Sequence, residues 1–237
     1  NVQRPGRYIG CETNSVLKQR RPDMTSFLLA YPDMYEVGMS YLGLRILYHL
    51  LNERDDVLCE RAFAPWADME EELRRRGRKL FSLESKTDID KFDIVGFSLC
   101  YELTYTNLLN MLELGGIPVL SRDRTVEHPL VIAGGACCFN PEPVAPFIDA
   151  FLIGDAEEAL PDLVDEYRKS RPRGGIGDRK KLLRALAGVN GVYVPSMYEA
   201  CYREGVFKGT SPVEEGAPAK IKKAVVRDLE NAYYPEK

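Results

Sequence analysis

Three features are missing from this 237-residue sequence, and each absence excludes a class of protein. No apolar run approaches the roughly eighteen residues that cross a bilayer. No charged segment followed by an apolar one opens the chain, so no secretory signal is indicated. The formal net charge is −4, which argues against a general electrostatic attraction to nucleic acid. The sequence therefore predicts a cytoplasmic protein without a membrane partner, acting on small molecules or proteins.

The six cysteines lack any metal-binding spacing. None belongs to a C-x-x-C pair or to a C-x-x-x-C-x-x-C loop, so neither a zinc site nor an iron–sulfur site is indicated. In a cytoplasmic chain of this size we expect such thiols to be reduced and mostly buried. No residue is therefore assigned as a metal ligand, and none is assigned a catalytic role.

What the sequence does contain is an alternation of short apolar runs with amphipathic segments. It predicts an α/β fold with a doubly wound, mainly parallel sheet that is covered on both faces. Strands are expected near residues 27–31, 57–64, 93–98, 117–120, 130–133 and 150–153. Helices are expected near 40–51, 67–76, 101–114, 157–167 and 180–186, with Ser40 as the N-cap of the first.

Composition divides the chain into four parts. We expect an N-terminal arm at 1–23, an α/β domain at 24–170, a linker and short helix at 171–191, and a β-rich appendage at 192–237. In the appendage, 192–202 and 206–208 are predicted to form a hairpin, and 220–229 a further strand. The basic stretch 168–181 is interpreted as a solvated linker, with RNA contact as the alternative.

The predicted strand tips are where chemistry is expected, because the carboxyl ends of parallel strands meet at one sheet edge. Segments 31–38, 98–101, 134–140 and 154–157 should converge on one crevice. The only tryptophan, Trp66, follows another predicted strand, and there core packing is favoured over ligand contact. The candidates for contact with a substrate or with another domain are Trp66, Tyr101, Glu102, Phe139, Asn140 and Glu157.

Three of these tips resemble the Rossmann-like cobalamin-binding domain. The spacing Asp-x-Tyr-x-x-Gly is similar to the Asp-x-His-x-x-Gly loop of that family, with tyrosine in place of the histidine that binds cobalt. A serine and a pair of glycines match the residues that this family places around the dimethylbenzimidazole tail. The resemblance implies a cofactor-binding set consisting of Asp33, Tyr35, Gly38, Ser98, Gly134 and Gly135.

A closer resemblance is to radical SAM proteins that carry such a domain at the N-terminus. Segments 95–98, 131–135, 140–142 and 149–157 are similar to successive signatures of that group. The resemblance implies a radical SAM core in the same polypeptide, with a [4Fe-4S] cluster and S-adenosylmethionine. The chain lacks the three-cysteine loop of such a core, starts without methionine and stops after residue 237, so we expect a fragment that is not catalytic alone.

Three functions are compatible with these residues. In the first, the fold is degenerate and docks an unknown substrate or supports the core, with aromatic side chains from the tips filling the groove. In the second, cobalamin binds without a histidine ligand and serves group transfer by the radical SAM core. In the third, the chain is a stand-alone flavodoxin-like enzyme with a carboxylate such as Asp33, Glu36, Glu102 or Glu157 as acid or base.

Overall fold

A central six-stranded sheet organises the protein in a computed structural model, which describes residues 2–171, 178–228, 230 and 232–235. In chain order the strands are β1 (Thr25–Tyr31), β2 (Val57–Phe63), β3 (Ile94–Ser98), β4 (Leu130–Gly134), β5 (Ala150–Leu152) and β6 (Val192–Tyr193). Across the sheet the order is β2-β1-β3-β4-β5-β6. All neighbours are parallel except β6, which runs antiparallel to β5.

Helices cover both faces of this sheet. They are α1 (Gly6–Ile9), α2 (Tyr35–Ser40), α3 (Leu42–Glu53), α4 (Ala67–Arg75), α5 (Tyr105–Leu114), α6 (Ala156–Ser170) and α7 (Arg179–Leu186). Buried residues of α3, α6 and α7 share one core cluster, whereas those of α4 and α5 belong to the other. The predicted doubly wound α/β fold is therefore confirmed.

Strand β1 shows why its sequence forms the centre of the sheet. All seven of its residues are buried, as expected for a parallel strand covered on both sides. Phe27 and Leu29 point into the α3/α6 core, and Leu28 and Ala30 point into the α4/α5 core. The two-residue period of a strand thus supplies apolar side chains to both layers.

The appendage differs from the sequence prediction. A hairpin does form, from β7 (Tyr198–Arg203) and β8 (Val206–Pro212), but the predicted strand at 192–202 is split. Its first two residues are β6, which pairs with β5 in the central sheet, and a 3-10 turn at Pro195–Met197 separates them from β7. The predicted strand at 220–229 is also wrong for residues 220–228, where the described chain makes one isolated bridge, from Ala224 to Gly154.

Two local predictions in the α/β part are wrong as well. Residues 117–120 do not form a strand, because the carbonyl oxygens of Pro118 and Val119 accept hydrogen bonds from the Arg124 guanidinium at 2.9 Å each. Ser40 ends α2 instead of capping α3, and its hydroxyl donates to the Val37 carbonyl at 2.8 Å. The strand was predicted from apolar composition and the N-cap from residue type. Neither signal contains the tertiary contacts that decide the structure here.

The remaining organisation is described only in part. Residues 172–177 of the predicted linker, and residue 229, lie outside the described residues. The division of the chain into four parts remains a prediction. In the portions that the structure describes, no helix is both long enough and apolar enough to span a bilayer.

Candidate functional site

A cavity of about 210 Å³ lies at the carboxyl edge of the sheet, between α3 and α6. Its floor includes residues of β1 and β3, which are neighbours in the sheet although β2 lies between them in the chain. The strand order therefore reverses beneath the cavity. Doubly wound sheets bind their ligands at such switch points.

The cavity exists because the strands end in small residues on the α3/α6 face. On β3 the residues that face this layer are Ile94, Gly96 and Ser98, so bulk decreases towards the strand tip. On β4 the large Ile132 is followed two residues later by Gly134. Since alternate residues share a face, these small positions leave one continuous space above the tips.

The paired glycines have different physical roles. A Cβ added to Gly134 would meet only the Leu152 carbonyl oxygen, at 3.6 Å, so this residue leaves open space. Gly135 has a φ of +109°, and a Cβ there would lie 2.6 Å from the Leu99 carbonyl oxygen. Gly134 therefore provides room for a ligand, whereas Gly135 permits the turn that follows β4.

Polar groups at the cavity are few. The Ser98 hydroxyl has no hydrogen-bond partner among the described residues, so it remains available as donor and acceptor. Asp155 and Glu157 are the charged residues of the lining. The Asp155 carboxylate accepts a hydrogen bond from the Val226 backbone at 3.0 Å. The cavity thus combines apolar walls with one free hydroxyl and two acidic groups.

The far wall of the cavity depends on a distant segment of the chain. Gly154 has a φ of +108°, and a Cβ there would lie 2.1 Å from the Ala224 carbonyl oxygen. Ala224 donates to Ile153 at 2.8 Å and accepts from Asp155 at 3.0 Å, both through backbone groups. Residues 224–226 therefore form a strap that lies against residues 153–155, of which Gly154 and Asp155 line the cavity.

Sequence reasoning did not assign Tyr41, which lines the cavity together with Gly43. A Cβ on Gly43 would come 2.9 Å from the Tyr41 ring, so the glycine lets the ring lie against the helix. Burial, together with a hydrogen bond to Cys100, raises the pKa of Tyr41 to about 12. A glycine in the first turn of a helix was the available signal, since it is unfavourable there without a packing reason.

Asp33 ties two loops together instead of lining the cavity. One carboxylate oxygen accepts a hydrogen bond from the Tyr101 hydroxyl, and the other accepts from the Met34 backbone at 2.7 Å. The hydrogen bond to Asp33 raises the pKa of the Tyr101 hydroxyl. Asn107 also donates to the Pro32 carbonyl, at 3.0 Å. The loop after β1 is thereby fixed to the segment after β3.

Tyr35 points away from the cavity, towards the N-terminal arm. Its hydroxyl donates to Glu12 at 2.9 Å, and its ring packs edge-on against Phe63 with centroids 5.5 Å apart. Gly38 serves the same packing, because a Cβ there would lie 2.3 Å from the Phe63 ring. Of the predicted cofactor-binding set, the structure therefore brings Ser98, Gly134 and Gly135 to the cavity, joined by Glu157 from the second set.

A comparison with protein-family models matches residues 43–195 to the family described as radical SAM proteins, N-terminal. The match covers more than half of the chain. This chain belongs to that family. Membership implies a radical SAM core in the same polypeptide. A search of curated proteins found no match.

In this radical SAM N-terminal domain, most of the lining of the strand-tip cavity falls within the matched region, although Phe27, Leu29 and Tyr41 precede it. Residues 33–38, the loop that most resembles a cobalamin motif, also precede the family match. Ser98, Gly134 and Gly135 all lie inside it. The small residues of the cavity are the part of the candidate site that lies within the family region.

Exposed apolar side chains lie in loops at the same sheet edge as the cavity. Leu103 is 85% exposed, Phe139 61% and Trp66 45%, and each follows the carboxyl end of a parallel strand. The prediction that Trp66 packs in the core is wrong: the Arg7 guanidinium lies over its ring, 5.3 Å from the centroid. Glu102 and Asn140 are also exposed in these loops, but they are polar. We define the rim as the exposed apolar and aromatic side chains of these loops, which are Trp66, Tyr101, Leu103 and Phe139.

The residues present fit an organic group better than a metal. Among the residues that the structure describes, no group of three or more His, Cys, Asp or Glu side chains is arranged to hold a metal ion. By the cobalamin-domain resemblance Tyr35 would replace the cobalt-binding histidine, yet desolvation and its hydrogen bond to Glu12 raise its pKa to about 12. A phenol held protonated in this way is a poor metal ligand. At Gly134, by contrast, a Cβ would meet only the Leu152 carbonyl oxygen, at 3.6 Å, which leaves room for an organic group.

Proposed function

We propose that this domain packs the carboxyl edge of its sheet against the radical SAM core and holds one group of a ligand in the strand-tip cavity at that interface. The observation that carries the proposal is that the cavity and the exposed apolar rim occupy the same edge. The domain then acts as an accessory unit that positions a molecule for the core, and the radical chemistry belongs to the core.

The rim supports the docking part of this proposal. Its four side chains come from three loops that follow β2, β3 and β4, and several large apolar side chains exposed at one edge of a sheet favour an interaction site there. The core of the same polypeptide is the partner that family membership supplies. Its approach would remove the rim from water and cover the mouth of the cavity.

The cavity supports the ligand part. Its floor of glycines and aliphatic side chains suits a flat and mostly apolar group, and Ser98 offers one hydrogen bond to orient it. Asp155 and Glu157 favour a neutral or cationic group over an anionic one. These features describe a small substrate group or the tail of a larger cofactor.

Cobalamin is the second candidate, favoured by the position of Ser98 and Gly134 in the cavity. These residues, with Gly135, are the ones that the cobalamin-domain resemblance assigns to the dimethylbenzimidazole tail. Bound cobalamin would supply a cobalt-centred group carrier to the radical SAM core. The chain itself would hold the tail, with no side chain on the metal from Tyr35.

Hydrogen exchange tests the docking part. We expect the amides of 99–104 and 136–140 to exchange more slowly in the full-length radical SAM protein than in the 237-residue chain, because the core covers these loops. The hairpin loop at residues 204 and 205 serves as the reference. Equal exchange of the rim loops in both proteins would refute docking at this edge.

Cavity filling tests the ligand part. The variant Gly134→Leu places a side chain in the open space, and Gly6→Leu is the control outside the cavity, because a Cβ there meets nothing within 4 Å. If cobalamin is the ligand, the visible absorbance of added hydroxocobalamin should stay with the wild-type chain and the control after gel filtration, and should be lost with Gly134→Leu. If the wild-type chain retains none, cobalamin is excluded and the cavity is left to a substrate group.

A further inference from the structure

A second cavity, of about 380 Å³, lies at the opposite end of the sheet. It is bounded by the segments that lead into β4 and β5, by α7, and by the turns on either side of the hairpin. This is the amino edge of the parallel strands, so it shares no residue with the strand-tip cavity. Neither the family match nor the proposed function gives it a role.

The lining of this cavity is strongly basic, although the whole chain is acidic. Two carboxylates face five cations, which leaves a local net charge of +3. The cations are Arg122, Arg124, Arg179, Lys180 and Arg184, and the carboxylates are Asp149 and Glu214. A positive cavity on a protein with a net charge of −4 is unlike the general surface.

The charge is unbalanced at the base of the cavity. Arg124 is fully buried and donates to Asp149 at 3.1 Å, while Arg179, whose side chain is 12% exposed, donates to the same carboxylate oxygen at 2.7 Å. One carboxylate therefore serves two guanidinium groups. Buried charges are normally paired one to one, because an uncompensated charge in a low-dielectric interior is costly.

A further donor remains unused there. The Nε atom of Arg179 is buried and has no hydrogen-bond partner in the described structure. Burial and the nearby Arg179 charge also lower the pKa of Arg124, against the opposing effect of Asp149. The site therefore carries excess positive charge that the protein itself does not neutralise.

Two cations at the mouth are free to bind a ligand. The Arg122 side chain is 80% exposed, with only a 3.8 Å contact to the neighbouring Asp123. Lys180 is exposed and makes no ion pair in the described chain, although its backbone nitrogen donates to the Asp178 carboxylate that caps α7. Arg184, by contrast, is occupied by Glu214 at 2.6 Å. Recognition would thus fall to the side chains of Arg122 and Lys180.

We propose that this basic cavity binds the phosphate group of a small phosphorylated molecule, held by Arg122 and Lys180 above the Arg124–Asp149–Arg179 base. Guanidinium and ammonium groups are the usual protein partners of phosphate, and a dianion would offset most of the local charge. The cavity is roomy enough for a phosphate ester and not just for the ion.

The same chemistry could come from the backbone of RNA, and the lining argues against that source. No aromatic side chain is among the described residues that line the cavity, so it offers no surface on which bases stack. The cations surround a concave space and do not form a stripe along the surface. A small phosphomonoester therefore fits the site better than a single-stranded nucleic acid.

Calorimetric titration at constant ionic strength tests the proposal, with inorganic phosphate and adenosine monophosphate as probes. We expect saturable binding of phosphate to the 237-residue chain, and a rise in its thermal unfolding temperature because the ligand binds the folded state. The double variant Arg122→Gln/Lys180→Gln should weaken binding by about tenfold or more, since it removes two charged donors from exposed positions.

The control is Arg75→Gln/Arg76→Gln at the C-terminal end of α4, which removes the same charge from exposed side chains elsewhere. It should leave phosphate affinity unchanged. Absence of phosphate binding, or equal weakening by both double variants, would overturn the proposal. A short single-stranded RNA that binds while phosphate neither binds nor competes would assign the basic surface to nucleic acid instead.

Discussion

At the carboxyl edge of the sheet, space arises because side chains are missing, whereas at the amino edge it is bounded by side chains that carry charge. The strand-tip cavity rests on Gly96, Ser98 and Gly134. The basic cavity rests on an arginine–aspartate–arginine cluster that is almost entirely buried. Substitutions in the strand-tip cavity should therefore alter ligand binding with little loss of stability. Substitutions in the buried cluster of the basic cavity should destabilise the fold.

The largest effect is expected at the amino edge, from Asp149→Asn. This change leaves two buried guanidinium groups without their carboxylate, and breaking a buried pair in this way costs about 3–5 kcal/mol. The free energy of unfolding in urea measures the loss. Asp23→Asn, at an exposed ion pair with Arg21, is the control and should be near neutral. A small effect of Asp149→Asn would show that the cluster does not hold the fold.

The next effect separates the two glycines of the carboxyl edge. Gly135→Ala should destabilise the protein by about 1–3 kcal/mol, because it forces a side chain into a left-handed conformation against Leu99. Gly134→Ala should be neutral or stabilising by up to about 1 kcal/mol, because its Cβ enters open space and stiffens the unfolded chain. Equal costs at both positions would contradict the view that Gly134 serves only to leave room.

Alkaline pH should also distinguish the edges. The pKa of Tyr41, in the strand-tip cavity, is raised to about 12, from the value near 10 that a tyrosine has in an unfolded chain. Between these values the unfolded chain has lost a proton that the folded chain keeps, so stability falls as pH rises from about 10 to 12. Urea unfolding across this range should show a shallower fall for Tyr41→Phe than for wild type. The exposed hairpin variant Tyr202→Phe is the comparison and should leave the slope unchanged.

The smallest effect on stability is expected on the rim. Leu103 is 85% exposed, so Leu103→Asp should change the unfolding free energy of this chain by no more than about 0.5 kcal/mol. In the full-length protein the same change should increase hydrogen exchange in the neighbouring rim loop, because it places a charge in the docking surface. A large loss of stability in the isolated chain would mean that Leu103 serves the fold and not an interface.

Much of this architecture could be predicted because local pattern and global fold agree. The apolar runs that became β1, β2, β3, β4 and β5 are continuous and bounded by turns, so period and length sufficed. The strand predicted at residues 117–120 is wrong because apolar composition does not reveal which hydrogen-bond partner the backbone takes, and here that partner is Arg124. The N-cap predicted at Ser40 is wrong for a similar reason, since the Ser40 hydroxyl donates a hydrogen bond within α2.

For the candidate site, the sequence predicts which residues lie at the strand tips. It does not predict the direction in which the side chains of the loops point. Ser98 and Gly134 follow from strand ends and alternation, which the sequence displays. The orientation of Tyr35 depends on Glu12, which lies 23 residues earlier in an arm without a regular period. The sequence showed the basic stretch 168–181, which supplies Lys180, but it could not predict the basic cavity, because Arg122 and Asp149 are brought to this stretch only by the fold. Long-range contacts of single side chains leave no periodic signal.

The strap at residues 224–226 supports the residues after β5 that line the strand-tip cavity. It is held to residues 153–155 by three hydrogen bonds, two through the backbone of Ala224 and one from Val226 to Asp155. Peeling it back would leave every strand of the central sheet paired, so it is a local opening that costs far less than global unfolding. Because Gly154 and Asp155 line the cavity, the shape of its wall is coupled to a segment that follows the hairpin, and loosening this segment would alter the cavity without disturbing the sheet.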